Sequence, residues 1–235
     1  EEAVGGQYEV ICISPADSRG ILPGIELAND AGIPVVNYAT GIDGDVEIAS
    51  FIRIEDFDAE YQVASRLCDM IGEGEVVILE GPAGQQNAID KTEGAKKAIE
   101  EHPQIQLVAS QTANWIRNEA FVVTQNLLQA HPDIRGIIAC NDDMAVGAAE
   151  AVEQAGKKGE ISISGMNCAD FALEAIKEGR IHVTIDVMAY ELGYQAVEVA
   201  DKIRNGEEYE ENIIMETEIC DIENVEKMEK KHQRE

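Results

Sequence analysis

The sequence predicts an α/β protein built from doubly wound parallel sheets. Short apolar runs such as Glu75–Glu80 and Ile137–Ala139 alternate with longer amphipathic stretches along the whole chain, as strands buried on both faces alternate with the helices that cover them. Apolar residues make up 45% of the chain but aromatics only 5%, so Ala, Ile, Val and Gly do the packing, as parallel layers prefer. No Pro/Ser linker and no internal repeat interrupts the alternation.

The elements follow in order. Tyr8–Ser14 reads as a strand, and Arg19–Ala31 as a helix capped by Asp17 or Ser18 and closed by Gly32. Ile33–Tyr38 is the next strand; after a polar, Gly-containing stretch come strand Phe51–Ile54 and a helix from about Asp58 to Ile71. Strand Glu75–Glu80 precedes helix Gln85–Glu101, and strand Gln106–Thr112 precedes helix Arg117–Ala130. Strand Gly136–Cys140 leads to helix Met144–Ala155, strand Ile161–Met166 to helix Ala169–Glu178, and strand Val183–Asp186 to helix Tyr190–Asn205. Ile213–Ile219 is the last strand, and Glu223–Glu235 a charged tail or frayed helix. Residues 55–186 thus hold a complete five-strand set, whereas the flanking pieces supply fewer strands and helices than a doubly wound lobe needs.

At 235 residues the chain has room for one large domain or two modest lobes. Its formal net charge is −28, a field that repels phosphate backbones and anionic membranes and favours a neutral or cationic ligand. Most of that acid reads as a solubilising surface. The five cysteines, Cys12, Cys68, Cys140, Cys168 and Cys220, are dispersed and odd in number, which is not a disulfide framework. Cys140 and Cys168 fall at predicted strand tips, so a bond between them is one option. The chain shows neither a signal peptide nor a membrane span, and we read it, starting at Glu1, as a mature or trimmed product and a fragment.

The most informative stretch is Asp133-Ile-Arg-Gly-Ile-Ile-Ala-Cys-Asn141-Asp142-Asp143-Met144-Ala145-Val146-Gly147, an apolar strand with polar residues at its tip and a helix after it. Strand tips in open α/β sheets face the ligand crevice. With it stand Ser14-Pro15-Ala16-Asp17-Ser18, Ala28-Asn29-Asp30-Ala31-Gly32-Ile33-Pro34-Val35-Val36, Ala109-Ser110-Gln111 before Trp115 and Arg117, and Gln125-Asn126-Leu127-Leu128-Gln129-Ala130-His131-Pro132-Asp133. In order and spacing these motifs resemble the type I periplasmic sugar-binding proteins, the ribose-binding group above all, from about Tyr8 to Cys220.

That resemblance implies two α/β lobes joined by three crossings, near Arg53–Ile54, Asp186–Met188 and Ile214–Met215. It makes 8–53 plus 188–213 an N-terminal-type lobe lacking its first strands, 55–186 a C-terminal-type lobe to which 214–222 returns, and 223–235 a tail. It also implies a sugar held between the lobes by paired amides or carboxylates and an aromatic plate. Asn141 suits a vicinal diol, its alternative being the cap of the next helix. Asp142 and Asp143 read as cap and first-turn charge. Asn167 stands where the family usually has Asp, with a local turn as its alternative. Trp115, the only tryptophan, is the expected stacking wall, its alternative being a core side chain. Arg117 reads as a charged ligand contact or a loop cap. Lys91 replaces a sugar-contacting arginine and has no forked donor; the other reading is a solvated helix-face lysine. Gln85, Gln86 and Asn87 open the same helix within reach of the cleft. Asp186 is a polar candidate at the second crossing, or orients the hinge. Ala39 and Thr40 replace an acidic–basic pair of ribose binders, which argues against ribose itself.

Gly81-Pro-Ala-Gly84 followed by Lys91-Thr92 has the wrong spacing for a phosphate loop, since Asp90 stands where a glycine is required. The four histidines, His102, His131, His182 and His232, are scattered and make no metal spacing. No nucleophile is paired with a base, so neither catalysis, cofactor nor metal is expected. The expected function is capture of a sugar or sugar-like polyol and its delivery to an ABC permease, outside the cytoplasm, with membrane contact only through the permease or a lost lipid anchor. A LacI-type effector core and a receptor sensing domain are the alternatives; the repressor would need a helix-turn-helix headpiece and would bind nucleic acid, against the charge.

Overall fold

The computed structural model describes residues 2–6 and 8–232. The chain divides into two compact units, one of Glu1–Glu55, Gly84–Asn87 and Met188–Glu216, the other of Asp56–Ala83, Ala88–Val187 and Thr217–Glu235. Gly84–Asn87 and the charged tail therefore cluster differently from the sequence-based boundaries.

The first unit holds α1 (Glu2–Gly5), β1 (Ile11–Ile13), α2 (Leu22–Asp30), β2 (Val35–Tyr38), β3 (Ser50–Arg53), α8 (Ala189–Asn205) and β9 (Asn212–Ile214). Its parallel sheet runs β1-β2-β3-β9. Alternate residues of β2 face opposite layers, as the period of two requires. Val36 packs with Ile52, Leu192, Ala196 and Val199 under α8, whereas Val35 packs with Ile25 and Ala28 of α2. The expected cap of α2 is absent. Asp17 Oδ1 instead accepts the Arg19 and Gly20 N–H groups (3.0 and 2.6 Å) in the preceding turn, and a proline in the first turn sets where the helix begins.

The second unit holds α3 (Asp56–Ile71), β4 (Gly74–Glu80), α4 (Gln86–Glu101, whose first two residues cluster with the first unit), β5 (Ile105–Thr112), α5 (Arg117–Ala130), β6 (Ile134–Ala139), α6 (Asp142–Gln154), β7 (Ser162–Ser164), α7 (Asp170–Lys177), β8 (Val183–Asp186), β10 (Glu218–Asp221) and α9 (Val225–His232). The strand order is β10-β8-β7-β6-β4-β5, parallel except for β10, which runs antiparallel to β8. The order reverses beside β4, between β5 and β6, so the carboxyl ends of β4 and β6 open a crevice where the connections diverge. Val76–Leu79 and Ile137–Ala139 are wholly buried, the signature of strands covered on both faces.

Two expectations change at the C-terminal end. Ile213–Ile219 is not one strand: β9 joins the first sheet and β10 the second. The tail forms α9, a helix that buries Val225 and Met228 and is tied to α7 by the Lys177–Glu229 ion pair. No helix among the described residues is long and apolar enough to cross a membrane.

Candidate functional site

Five of the six sequence-based site residues gather at the carboxyl end of the second unit's sheet or on the helix that follows it. Trp115 lies in the turn after β5, Asn141 directly after β6, Asn167 after β7, Asp186 at the tip of β8, and Lys91 in the second turn of α4.

The Trp115 turn is held in a costly backbone shape. Asn114 and Trp115 take φ of 52° and 64°, left-handed values that non-glycine residues adopt only when their surroundings dictate it. Ala113 N–H donates to the Glu80 carbonyl (2.9 Å), and the Thr112 hydroxyl to the Gly81 carbonyl (2.8 Å). The indole lies flat against Gly81; a Cβ there would come within 2.0 Å of the ring, so only glycine fits. The Lys91 ammonium sits over the same ring, 5.2 Å from its centroid, a cation–π contact.

Lys91 is not a solvated surface lysine. It is 6% exposed, and its Nζ is 3.6 Å from Asp56 Oδ1 on α3. α3 and α4 approach closely because of Gly94, where a Cβ would stand 2.3 Å from the Phe57 carbonyl oxygen. One turn along α3 from Asp56, Glu60 is fully buried, and neither of its carboxylate oxygens has a hydrogen-bond partner among the described residues. Burial pushes its carboxyl up to about 8, Asp56 and Asp142 add to the rise, and Lys91 opposes it. The nearby Cys140 thiol is likewise driven up by burial and by Glu60.

Asn141 is engaged as a helix cap. Its Oδ1 accepts the Met144 N–H (2.8 Å), and its Nδ2 donates to the Trp115 carbonyl (3.3 Å). An amide carries a second N–H and a second lone pair, so capping α6 and fixing the tryptophan turn leave capacity for a diol. Asn167 differs: it takes φ 124°, with Cys168 at 58° after it. Its backbone N–H donates to the Ile185 carbonyl (3.0 Å), and among the described residues its half-buried side-chain amide makes no hydrogen bond.

The residue that holds this turn was read from sequence, together with Asp143, as cap and first-turn charge. Asp142 is fully buried; it accepts the Ala169 N–H (2.8 Å) and the Thr184 hydroxyl (2.7 Å), while Thr184 Oγ1 receives the Cys168 N–H (3.3 Å). Burial raises its carboxyl from 3.8 to about 6 against those hydrogen bonds. The acidic doublet at a strand tip was its only signal in the sequence. Glu60 had none, since its burial depends on how the elements pack around α3.

Two candidates have partners other than a ligand. Arg117, at the start of α5, forms an ion pair with Glu150 of α6. Asp186 is 3% exposed and accepts from Lys231 Nζ (2.7 Å) and His232 Nε2 (3.3 Å), both from α9. Gln85–Asn87 belongs to the first unit, where the Gln85 amide donates to the Ala16 carbonyl (3.1 Å) and Gln86 N–H to the Ser18 hydroxyl (2.9 Å). All five cysteines are free thiols. The expected option of a Cys140–Cys168 bond is not taken; Cys220 stands opposite Thr184, whose hydroxyl receives the Cys168 N–H, and this neighbour helps drive the Cys168 thiol up.

Residues 1–208 match the periplasmic binding protein domain family. The ribose import binding protein of Salmonella typhimurium is 34% identical over 201 residues, 85% of this chain and 67% of that protein. The D-apiose import binding protein of Actinobacillus succinogenes is 32% identical over 232 residues, 97% of this chain and 74% of that one. Among solved structures, an ABC transporter periplasmic solute binding protein from Actinobacillus succinogenes with bound D-allose superposes with a TM-score of 0.91 at 34% identity, covering 96% of this chain and 81% of that one. An ABC transporter solute binding protein from Bacillus halodurans with bound myo-inositol gives 0.93 at 31%, covering 98% and 80%. This chain belongs to the type I periplasmic sugar-binding proteins, a family of solute-binding proteins and not of enzymes.

Proposed function

We propose that this protein captures a neutral sugar or sugar-like polyol on the bed formed by Trp115, Asn141, Asn167 and Lys91, outside the cytoplasm, and delivers it to an ABC permease. One observation carries the reading. Asn167 is locked at an unfavourable φ by its neighbours, yet among the described residues its side-chain amide has no hydrogen bond. Strain of this kind persists where a polar group is being presented, and a polar group left half-buried without a partner is matched by a ligand hydroxyl. Trp115 offers an indole to an apolar sugar face, and Lys91 a cationic donor.

The field of a chain that carries −28 disfavours an anionic ligand. The relatives' ligands, ribose, apiose, allose and myo-inositol, fall in the proposed class. Ribose is not singled out, because Ala39, Thr40 and Asn167 remove charges on which the resemblance to ribose binders would rely. The repressor alternative gains nothing from the shared fold, and the charge opposes DNA.

A thermal-shift screen against pentoses, hexoses and inositols tests the proposal. A ligand at about a hundred times its Kd stabilises the native state by about 2.7 kcal/mol, a shift of several degrees. A cognate sugar producing that shift supports the reading; a flat response to all three classes overturns it.

A further inference from the structure

The bed has an acid beneath it that sugar binding does not require. Glu60 follows Asp56 by one helical turn, so both face the same way from α3. Asp56 meets Lys91, and Lys91 covers Trp115. Glu60 is 0% exposed, and no donor reaches either oxygen among the described residues.

We propose that Glu60 is a positioning residue for this bed: uncharged, it leaves Lys91 committed to Asp56 and the Trp115 face; once ionised, it draws Lys91 off the indole and weakens ligand capture. With Glu60 neutral, Asp56 and Lys91 cancel. Ionisation adds a fully buried negative charge on which Lys91 is the cation that acts among the described residues, and it draws Lys91 because an unpaired buried carboxylate is strongly disfavoured. The charged and titratable groups acting on Glu60 are Asp56 on its own helix, Lys91 on α4 and Asp142 on α6; at the end of β6 the Cys140 thiol interacts with it in turn, and also with Glu80 of β4. Lys91 is the one cation in this set. The carboxyl titrates at about 8, above the range in which Asp142 changes charge, so the two events separate. The device makes capture favourable at neutral and mildly acid pH and poorer in alkali.

The chain's only tryptophan reports the lysine directly. The ligand arm of the test deepens the sugar-bed reading and rests on it; the fluorescence arm needs no ligand. The intact protein is titrated from about pH 6 to about pH 10 while the Trp115 emission is followed, in wild type, Glu60→Gln and Lys91→Met. Gln is close in shape to the protonated acid, and Lys91→Met removes the reporter's cation by an independent route. The expected result is an emission step centred near pH 8 in wild type and none in either variant, with Glu60→Gln resembling wild type at low pH. A wild-type trace without the step, or a step that survives in Glu60→Gln, overturns the proposal. With a sugar from the thermal-shift screen, wild-type affinity falls about tenfold across the step, the scale of one hydrogen bond from a charged donor lost to the ligand, and Glu60→Gln stays level. An equal fall in Glu60→Gln overturns the link to capture while leaving the sugar reading intact.

Discussion

Asp142→Asn tests the support beneath the Asn167 turn through its pH dependence. The wild-type carboxyl lies at about 6 in the native state against an ordinary 3.8. Between those values the folded protein binds more protons than the unfolded chain, so this group's stabilisation is complete below about pH 4 and is lost as pH rises through 6. The difference is about two pH units, each equivalent to about 1.4 kcal/mol, and ionising Asp142 therefore costs the native state about 3 kcal/mol. Asparagine cannot ionise. Its oxygen accepts one of the two donors from Ala169 and Thr184, and the Thr184 hydroxyl can turn to accept from the new amide, leaving a fixed loss of about 1 kcal/mol. Urea unfolding read by Trp115 fluorescence follows the unit that contains both residues. The variant is expected to be slightly less stable than wild type at about pH 4 and about 2 kcal/mol more stable at about pH 8. A difference that stays constant across the range would refute the assignment of a destabilising buried charge.

Further outcomes follow from the same contacts. Trp115→Ala lowers affinity for the cognate sugar by about 2 kcal/mol, roughly thirtyfold in Kd by calorimetry; an unchanged Kd would remove the indole from the bed. Arg117→Ala changes that Kd by less than about twofold and stability by less than about 1 kcal/mol, because its pair with Glu150 is largely exposed. Replacing Lys231 and His232 together by Ala takes a cation and a second donor from the buried Asp186 carboxylate, and lowers stability by about 3 kcal/mol in a melting experiment. An aromatic disulfide reagent modifies Cys12 alone in the native protein, since the other four thiols are buried; a second fast-reacting thiol would contradict that burial.

Much of the second unit was legible because its strands are self-declaring. Glu75–Glu80 and Ile137–Ala139 are apolar runs too short for helices, each followed by a polar tip, and they became β4 and β6 with little change. Asn141 was legible twice over, since the residue that suits a diol also caps a helix, and it does cap one. What escaped the sequence depends on packing in three dimensions. Lys91 reads as polar in any helical pattern; its burial follows from the close α3–α4 crossing at Gly94. Arg117 lies two residues from Trp115, yet the helix beginning at Arg117 turns its side chain toward Glu150. Ile213–Ile219 has one continuous apolar signature, and nothing local marks where the chain leaves one sheet and enters the other. α9 read as a charged tail or a frayed helix because charged residues dominate its composition; two buried apolar residues and the pairing of Lys231 with Asp186 hold it in place.

The most direct test of the account is a crystal structure of the protein soaked with the sugar that stabilises it most. The account predicts sugar density in contact with the Trp115 indole, with hydroxyls within hydrogen-bond distance of the Asn167 and Asn141 amides. Density elsewhere on the molecule, with Asn167 still unbonded, would contradict it.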